Sequence, residues 1–272
     1  TSYVNPYVSM EYYAYHTVHE LFLYGDLTLQ QWIDIFNRIR FVCDDFKRYT
    51  VQDAGIRSAL EEMYLTKTLQ RFEKMKKDER FITFFESPIV VNGKRYLPLN
   101  EIIIALEKAI PEMLYDVDTF NIIHGDLCFA NIMVDSNFSF IKVIDPRGKF
   151  GTYDIYGDFR YELAKLFHSV DGKYDFIIKD LFDLNYNSEA ACINYRIQDR
   201  KREFDLYKVF LSTFATEIDS DLKKIELIEA LLFLSMIPLH GESIRHQMVM
   251  LGTGLEILNR VIDIQIGEKK DV

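Results

Sequence analysis

The chain has 272 residues, a formal net charge of -10 and 49% hydrophobic residues, which is enough apolar material for one sizeable core and too much for a disordered chain. The acidic balance argues against a general nucleic-acid binder, which presents a basic face; it is compatible with a cationic small molecule, although plain solubility is its more ordinary meaning. No apolar run reaches the ~18 residues of a membrane helix, no signal peptide is evident, and Cys43, Cys128 and Cys192 are too scattered for a zinc site, so the expectation is a reducing, cytoplasmic compartment.

Residues 6–15 read as a short strand running into a connector. Thr28 is placed to cap a helix, with Gln31 completing a capping box, and Trp32, Ile35, Phe36, Ile39 and Val42 then recur at helical spacing to about Tyr49. A second helix is expected from about Asp53 to Glu79, ending in a solvated charge run. Asn92-Gly93 between two β-prone runs predicts a tight hairpin over 88–97, because both residues tolerate positive φ. Asn100 is expected to cap a helix carrying Ile103, Leu106, Ile110 and Leu114, with Pro111 forcing a kink or an end nearby.

Residues 121–150 change character, to short β runs separated by loop chemistry with a turn at 135–137. Beyond residue 157 the chain reads as mostly helical, over 158–170, 175–184, 201–218, 222–237 and 241–266. The only Gly-x-Gly, Gly252-Thr253-Gly254, falls in the last of these and reads as helix packing. A small β region among many helices is an α+β arrangement.

The chemistry concentrates in His124-Gly125-Asp126-Leu127-Cys128-Phe129-Ala130-Asn131 and Ile144-Asp145. Asp126 follows an apolar strand in a loop, where it is a candidate base. A hairpin from 131 to 145 would bring Asn131 and Asp145 to one end, and one neutral and one anionic oxygen donor suit magnesium. Each residue alone reads first as a cap or turn former, so it is the joint spacing that points to chemistry. Arg147 either holds phosphate oxygens or an anionic substrate, or makes a surface ion pair. His240 and His246 are six residues apart, poor spacing for one metal on one helix face, and read as structural or as wall residues.

This segment resembles the catalytic loop of the aminoglycoside phosphotransferase and choline kinase superfamily, which carries His-Gly-Asp, four residues, Asn, and later Ile-Asp. The resemblance implies the mostly helical C-terminal lobe of a protein-kinase-like fold. It implies Asp126 as catalytic base, Asn131 and Asp145 as ligands of Mg2+, and ATP or GTP as phosphate donor. His124 is then expected to brace the loop. Tyr156-Gly157-Asp158-Phe159-Arg160-Tyr161-Glu162-Leu163-Ala164 is similar to the family's Gly-Asp-Pro-x-x-Asp-Leu-Ala segment, with Phe159 in place of the proline and Glu162 in place of the second aspartate. That likeness implies that Asp158 and Glu162 support the catalytic loop.

The resemblance covers about residues 6–265 and only that lobe. Residues 1–15 read as the last strand and hinge of an N-terminal β lobe that is otherwise largely absent, with Glu11, Tyr12 and Tyr13 at the nucleotide, and 16–272 as the lobe with the catalytic loop and a helical acceptor subdomain. The chain begins at Thr1, so the expectation is a fragment whose first lobe lies upstream or in another domain. The expected activity is phosphoryl transfer to a hydroxyl of a sugar, amino-sugar or amino-alcohol, with no membrane or nucleic-acid partner. The alternatives are a kinase-like binding module without catalysis and, more weakly, a metal-dependent hydrolase.

Overall fold

The computed structural model describes residues 11–266. These form an α+β fold in which helices surround three small sheets. The helix Leu29–Lys47 begins as expected: Thr28 Oγ1 accepts from the Gln31 amide at 3.3 Å, and Gln31 Oε1 accepts from the Thr28 amide at 2.8 Å. Its buried stripe is Trp32, Ile35, Phe36, Ile39 and Cys43, so Cys43 rather than Val42 closes the apolar face.

The second helix begins at Ile56 because Asp53 first closes a turn, its Oδ1 accepting from the Gly55 amide at 2.7 Å. It then runs as Ile56–Leu60, a wide π turn Glu61–Thr66, and Lys67–Lys76. The hairpin expected over 88–97 is present as Ile89–Val91 and Lys94–Tyr96, with Asn92 and Gly93 at φ 50° and 81°. The next helix, Leu99–Leu114, takes its N-cap at Pro98; Asn100 lies inside it and accepts from Lys76 Nζ, so it is not the cap. Pro111 sits inside the helix within one turn of its C-terminal end, so the end nearby is present.

Two further expectations fail over where the strands lie. Of the strand expected over 6–15, residues 6–10 lie outside the described residues and 11–15 carry no strand. The strand is His16–Thr17, paired antiparallel with Val134 and Met133. The helix expected over 175–184 is confined to Tyr174–Ile177; Phe182–Asn187 and Cys192–Ile197 form a hairpin instead. Phe182, Leu184 and Tyr186 alternate with polar residues, the period of a strand, and Cys192 and Ile193 pair in parallel with Val90 and Val91. Further on, the region expected helical over 201–218 divides into Leu206–Thr213 and Ala215–Ile218.

The helix Phe159–Val170 is buried from Arg160 to Val170, and it packs on Leu222–Met236, which packs in turn on Ile244–Leu258. The two glycines read as packing residues do pack: a Cβ on Gly252 would meet Tyr195 at 2.7 Å, and one on Gly254 would meet Leu234 at 2.9 Å. No helix among the described residues is long and apolar enough to cross a membrane.

His168 lies wholly inside this layer. Its ring stacks on Tyr174 and abuts Phe233, each at 4.3 Å between centroids, and neither ring nitrogen has a hydrogen-bond partner. Burial holds its pKa well below the usual histidine value, and the Lys165 and His240 charges add to the effect. The folded chain therefore keeps His168 neutral while the unfolded chain takes up a proton near pH 6.5. This contribution to stability is complete above that pH and is lost as pH falls, at about 1.4 kcal/mol per pH unit for one proton. His168→Phe is expected to remove that slope between about pH 6.5 and 5, read from urea midpoints, and to cost little at neutral pH because no hydrogen bond is lost. An unchanged slope in the variant would place the proton uptake elsewhere.

Candidate active site

The loop after the strand Phe120–Ile122 is fixed from two sides. On one side Phe129 enters the aromatic core, with ring centroids 5.3 Å from Phe22, 6.2 Å from Trp32 and 6.4 Å from Phe36. On the other, the helix Phe159–Val170 presents three polar side chains at i, i+3 and i+7. Glu162 accepts from the His124 and Gly125 amides at 2.9 and 2.6 Å, Lys165 Nζ lies 2.8 Å from Asp126 Oδ1, and Ser169 Oγ accepts from the Phe129 amide at 3.3 Å. The backbone of 124–129 is thereby held at successive points along one buried helix face.

Gly125 has φ 77°, and a Cβ there would stand 2.9 Å from that of Arg147, so a side chain is excluded by both conformation and space. His124 Nε2 donates to the Ile144 carbonyl at 2.9 Å, while Nδ1 accepts from the Asp126 amide at 3.3 Å. Burial lowers the pKa of this imidazole, which agrees with a neutral ring bracing two backbone segments.

Asn131 and Asp145 lie at the same end of the hairpin formed by Ile132–Val134 and Ile141–Val143, since the Ile144 amide donates to the Asn131 carbonyl at 3.0 Å. Asn131 Nδ2 donates to the Asp126 carbonyl at 2.9 Å, which turns Oδ1 into the amide atom free to meet a cation. Asp145 is exposed and left-handed, at φ 57°, an unfavourable conformation for a side chain and one concentrated at functional sites. One amide oxygen and one exposed carboxylate, both hard oxygen donors, fit magnesium.

Asp126, Asp145 and Arg147 open into one cavity of about 400 Å³, together with Lys67, Arg71, Tyr161 and Lys165. An apolar wall comes from Leu232, Met236 and Leu239. Arg147 donates to the Tyr161 hydroxyl at 2.6 Å and, through its amide, to the His124 carbonyl at 2.8 Å. Burial disfavours the Lys165 ammonium, but Tyr161 and Asp126 outweigh it and hold its pKa above the usual lysine value. Burial pushes the Glu162 carboxyl up to about 7, against the two amides that favour its charge.

Other sequence-derived candidates lie apart. Asp158 does not reach the loop: it caps the helix through the Arg160 amide at 2.9 Å and is taken up by the Arg160 guanidinium and the Tyr64 hydroxyl. Its place at the helix N-terminus, facing away from residues 124–129, sends it to the second helix instead. Glu11, Tyr12 and Tyr13 do not line the cavity; Tyr13 lies under Lys142 of the hairpin, and Tyr12 is exposed. His240 and His246 do meet, with Glu242, because His240 lies in the turn before the helix capped by Ser243. Each imidazole already has an acidic neighbour: His240 Nδ1 is 3.0 Å from Glu242 and His246 Nε2 is 3.0 Å from Asp180.

Lys67, Arg71 and Lys165 escaped the sequence reading. For Lys165 a cue existed, since Tyr161, Glu162, Lys165 and Ser169 share one side of a helix. Comparison of the chain with protein-family models and with curated proteins gives no match.

Proposed function

We propose that the chain is a phosphotransferase module of the protein-kinase-like kind, which moves the terminal phosphoryl group of ATP or GTP to a hydroxyl of a small molecule. The observation that carries this reading is the convergence of Asp126 and a left-handed Asp145 on one cavity with Arg147 and Lys165, while Asn131 is tied to the Asp126 carbonyl and, through its own carbonyl, to the strand end beside Asp145.

Asn131 and Asp145 would hold Mg2+, which neutralises phosphate charge when bound. Asp126, its carboxylate fixed by Lys165, orients the acceptor hydroxyl and takes its proton. The hydroxyl oxygen forms a bond to the terminal phosphorus, the bond from that phosphorus to the bridging oxygen breaks, and the nucleoside diphosphate departs with the bridging oxygen. Arg147, held by Tyr161, would meet phosphate oxygens.

Titration of magnesium–ATP and magnesium–GTP by calorimetry tests the reading. One nucleotide is expected to bind saturably, and Asp145→Asn is expected to weaken it by about tenfold or more, as loss of a metal ligand requires. Absence of binding at millimolar nucleotide, or binding indifferent to Asp145→Asn, would leave this chain a binding module without catalysis.

A further inference from the structure

The charge of the cavity runs opposite to that of the chain. The whole sequence is acidic, at -10, yet the cavity is lined by Lys67, Arg71, Arg147 and Lys165 against two carboxylates, Asp126 and Asp145. Of these cations, Lys165 is matched by Asp126, and Arg147 is tied to Tyr161. Lys67 and Arg71 are different. They lie four residues apart on one helix, a spacing at which like charges repel, and neither makes an ion pair among the described residues.

Lys67 is half-buried, and its pKa is pushed down to about 8, by burial first and then by the charges of Arg147, Arg71 and Lys165; Glu62 opposes this weakly. A cluster of this kind, kept partly out of water without a counter-ion, is stabilised by a bound anion. On the phosphotransferase reading, the phosphates of the donor fall to Asp145, through its metal, and to Arg147. Lys67 and Arg71 stand on the helical wall with Leu232, Ser235 and Met236, which belong to another helix.

We propose that the acceptor itself is an anion: a hydroxyl-bearing phosphate or carboxylate compound whose oxyanion docks on Lys67 and Arg71 while its hydroxyl faces Asp126. The proposal rests on the phosphotransferase reading and names the substrate class for it. Leu232 and Met236 cover the apolar part of such a molecule, and Ser235 offers a hydroxyl for its polar edge. A choline-like or amino-sugar cation would instead place like charge against the basic pair, which costs affinity.

The test is calorimetry on the full chain, with inorganic phosphate as the probe and neither metal nor nucleotide present. Choline is the cationic control, and magnesium–ATP is titrated separately. Phosphate is expected to bind saturably and choline not at all. Lys67→Gln with Arg71→Gln is expected to weaken phosphate by about tenfold or more and magnesium–ATP by far less, with Lys67→Arg retaining most of the binding. Thermal melts confirm folding, and Arg71→Gln alone serves if the double variant does not fold. The proposal is overturned if the wild type fails to bind phosphate at tens of millimolar, if the double variant binds it equally, or if that variant loses magnesium–ATP by the same factor. Phosphate binding that depends on Lys67 and Arg71, in a chain that binds no nucleotide, would instead overturn the phosphotransferase reading and leave an anion site.

Discussion

Asp126→Asn is expected to slow phosphoryl transfer by about 10²–10⁴-fold while nucleotide binding survives. The amide is nearly the shape of the carboxylate, so the loop keeps its anchors at Glu162, Ser169 and the Phe129 pocket. What disappears is the group that accepts the hydroxyl proton and the counter-charge of Lys165. The second loss leaves the Lys165 ammonium, only 9% exposed, facing a neutral amide, so some destabilisation is expected, softened by solvent at the 38% exposed Asp126 side, and melting checks that the variant is folded. The rate is read from magnesium-dependent release of phosphate to water, which needs no knowledge of the acceptor. A variant within tenfold of the wild type would remove Asp126 from the chemistry.

Arg160→Met carries the largest expected effect on stability, a loss of about 3–5 kcal/mol. Arg160 is 6% exposed; it holds Asp158, which is 1% exposed, at 2.8 Å, and it reaches Asp116 and the Leu114 carbonyl at 2.8 Å each. These contacts tie the start of the Phe159–Val170 helix to the end of Leu99–Leu114, and Tyr64 joins through Asp158. Without Arg160 the buried carboxylate keeps only the Tyr64 hydroxyl and a backbone amide. Adding Asp158→Asn should recover much of the loss, since the cost comes from an unpaired charge. Urea unfolding of the two single variants and the double variant measures this coupling; a loss below about 1 kcal/mol for Arg160→Met would show that the cluster relaxes without it.

The legible part of the molecule was the part whose chemistry is local. A capping box needs Thr28 and Gln31 three residues apart, and a two-residue hairpin needs Asn92-Gly93, so both stood in the sequence and in the fold. The grouping of His124, Asp126, Asn131 and Asp145 was likewise carried by short spacings. The hairpin 182–197 was hidden because its parallel partner lies about a hundred residues upstream, although the alternation of Phe182, Leu184 and Tyr186 was on view. Lys67 and Arg71 were hidden for a different reason. Basic residues on a helix ordinarily face water, and only tertiary packing reveals that these two face inward.

The wide turn Glu61–Thr66 has a consequence for descent. Each residue of an ordinary helix advances the chain by about 100° about the axis, so one surplus residue rephases everything beyond it. Lys67 and Arg71 follow that turn directly. A relative one residue shorter here would keep the same basic side chains, in the same order, on an unbroken helix that aims them away from the cavity. Kinship in substrate choice would then be written in a single-residue length difference, invisible to any count of matching amino acids.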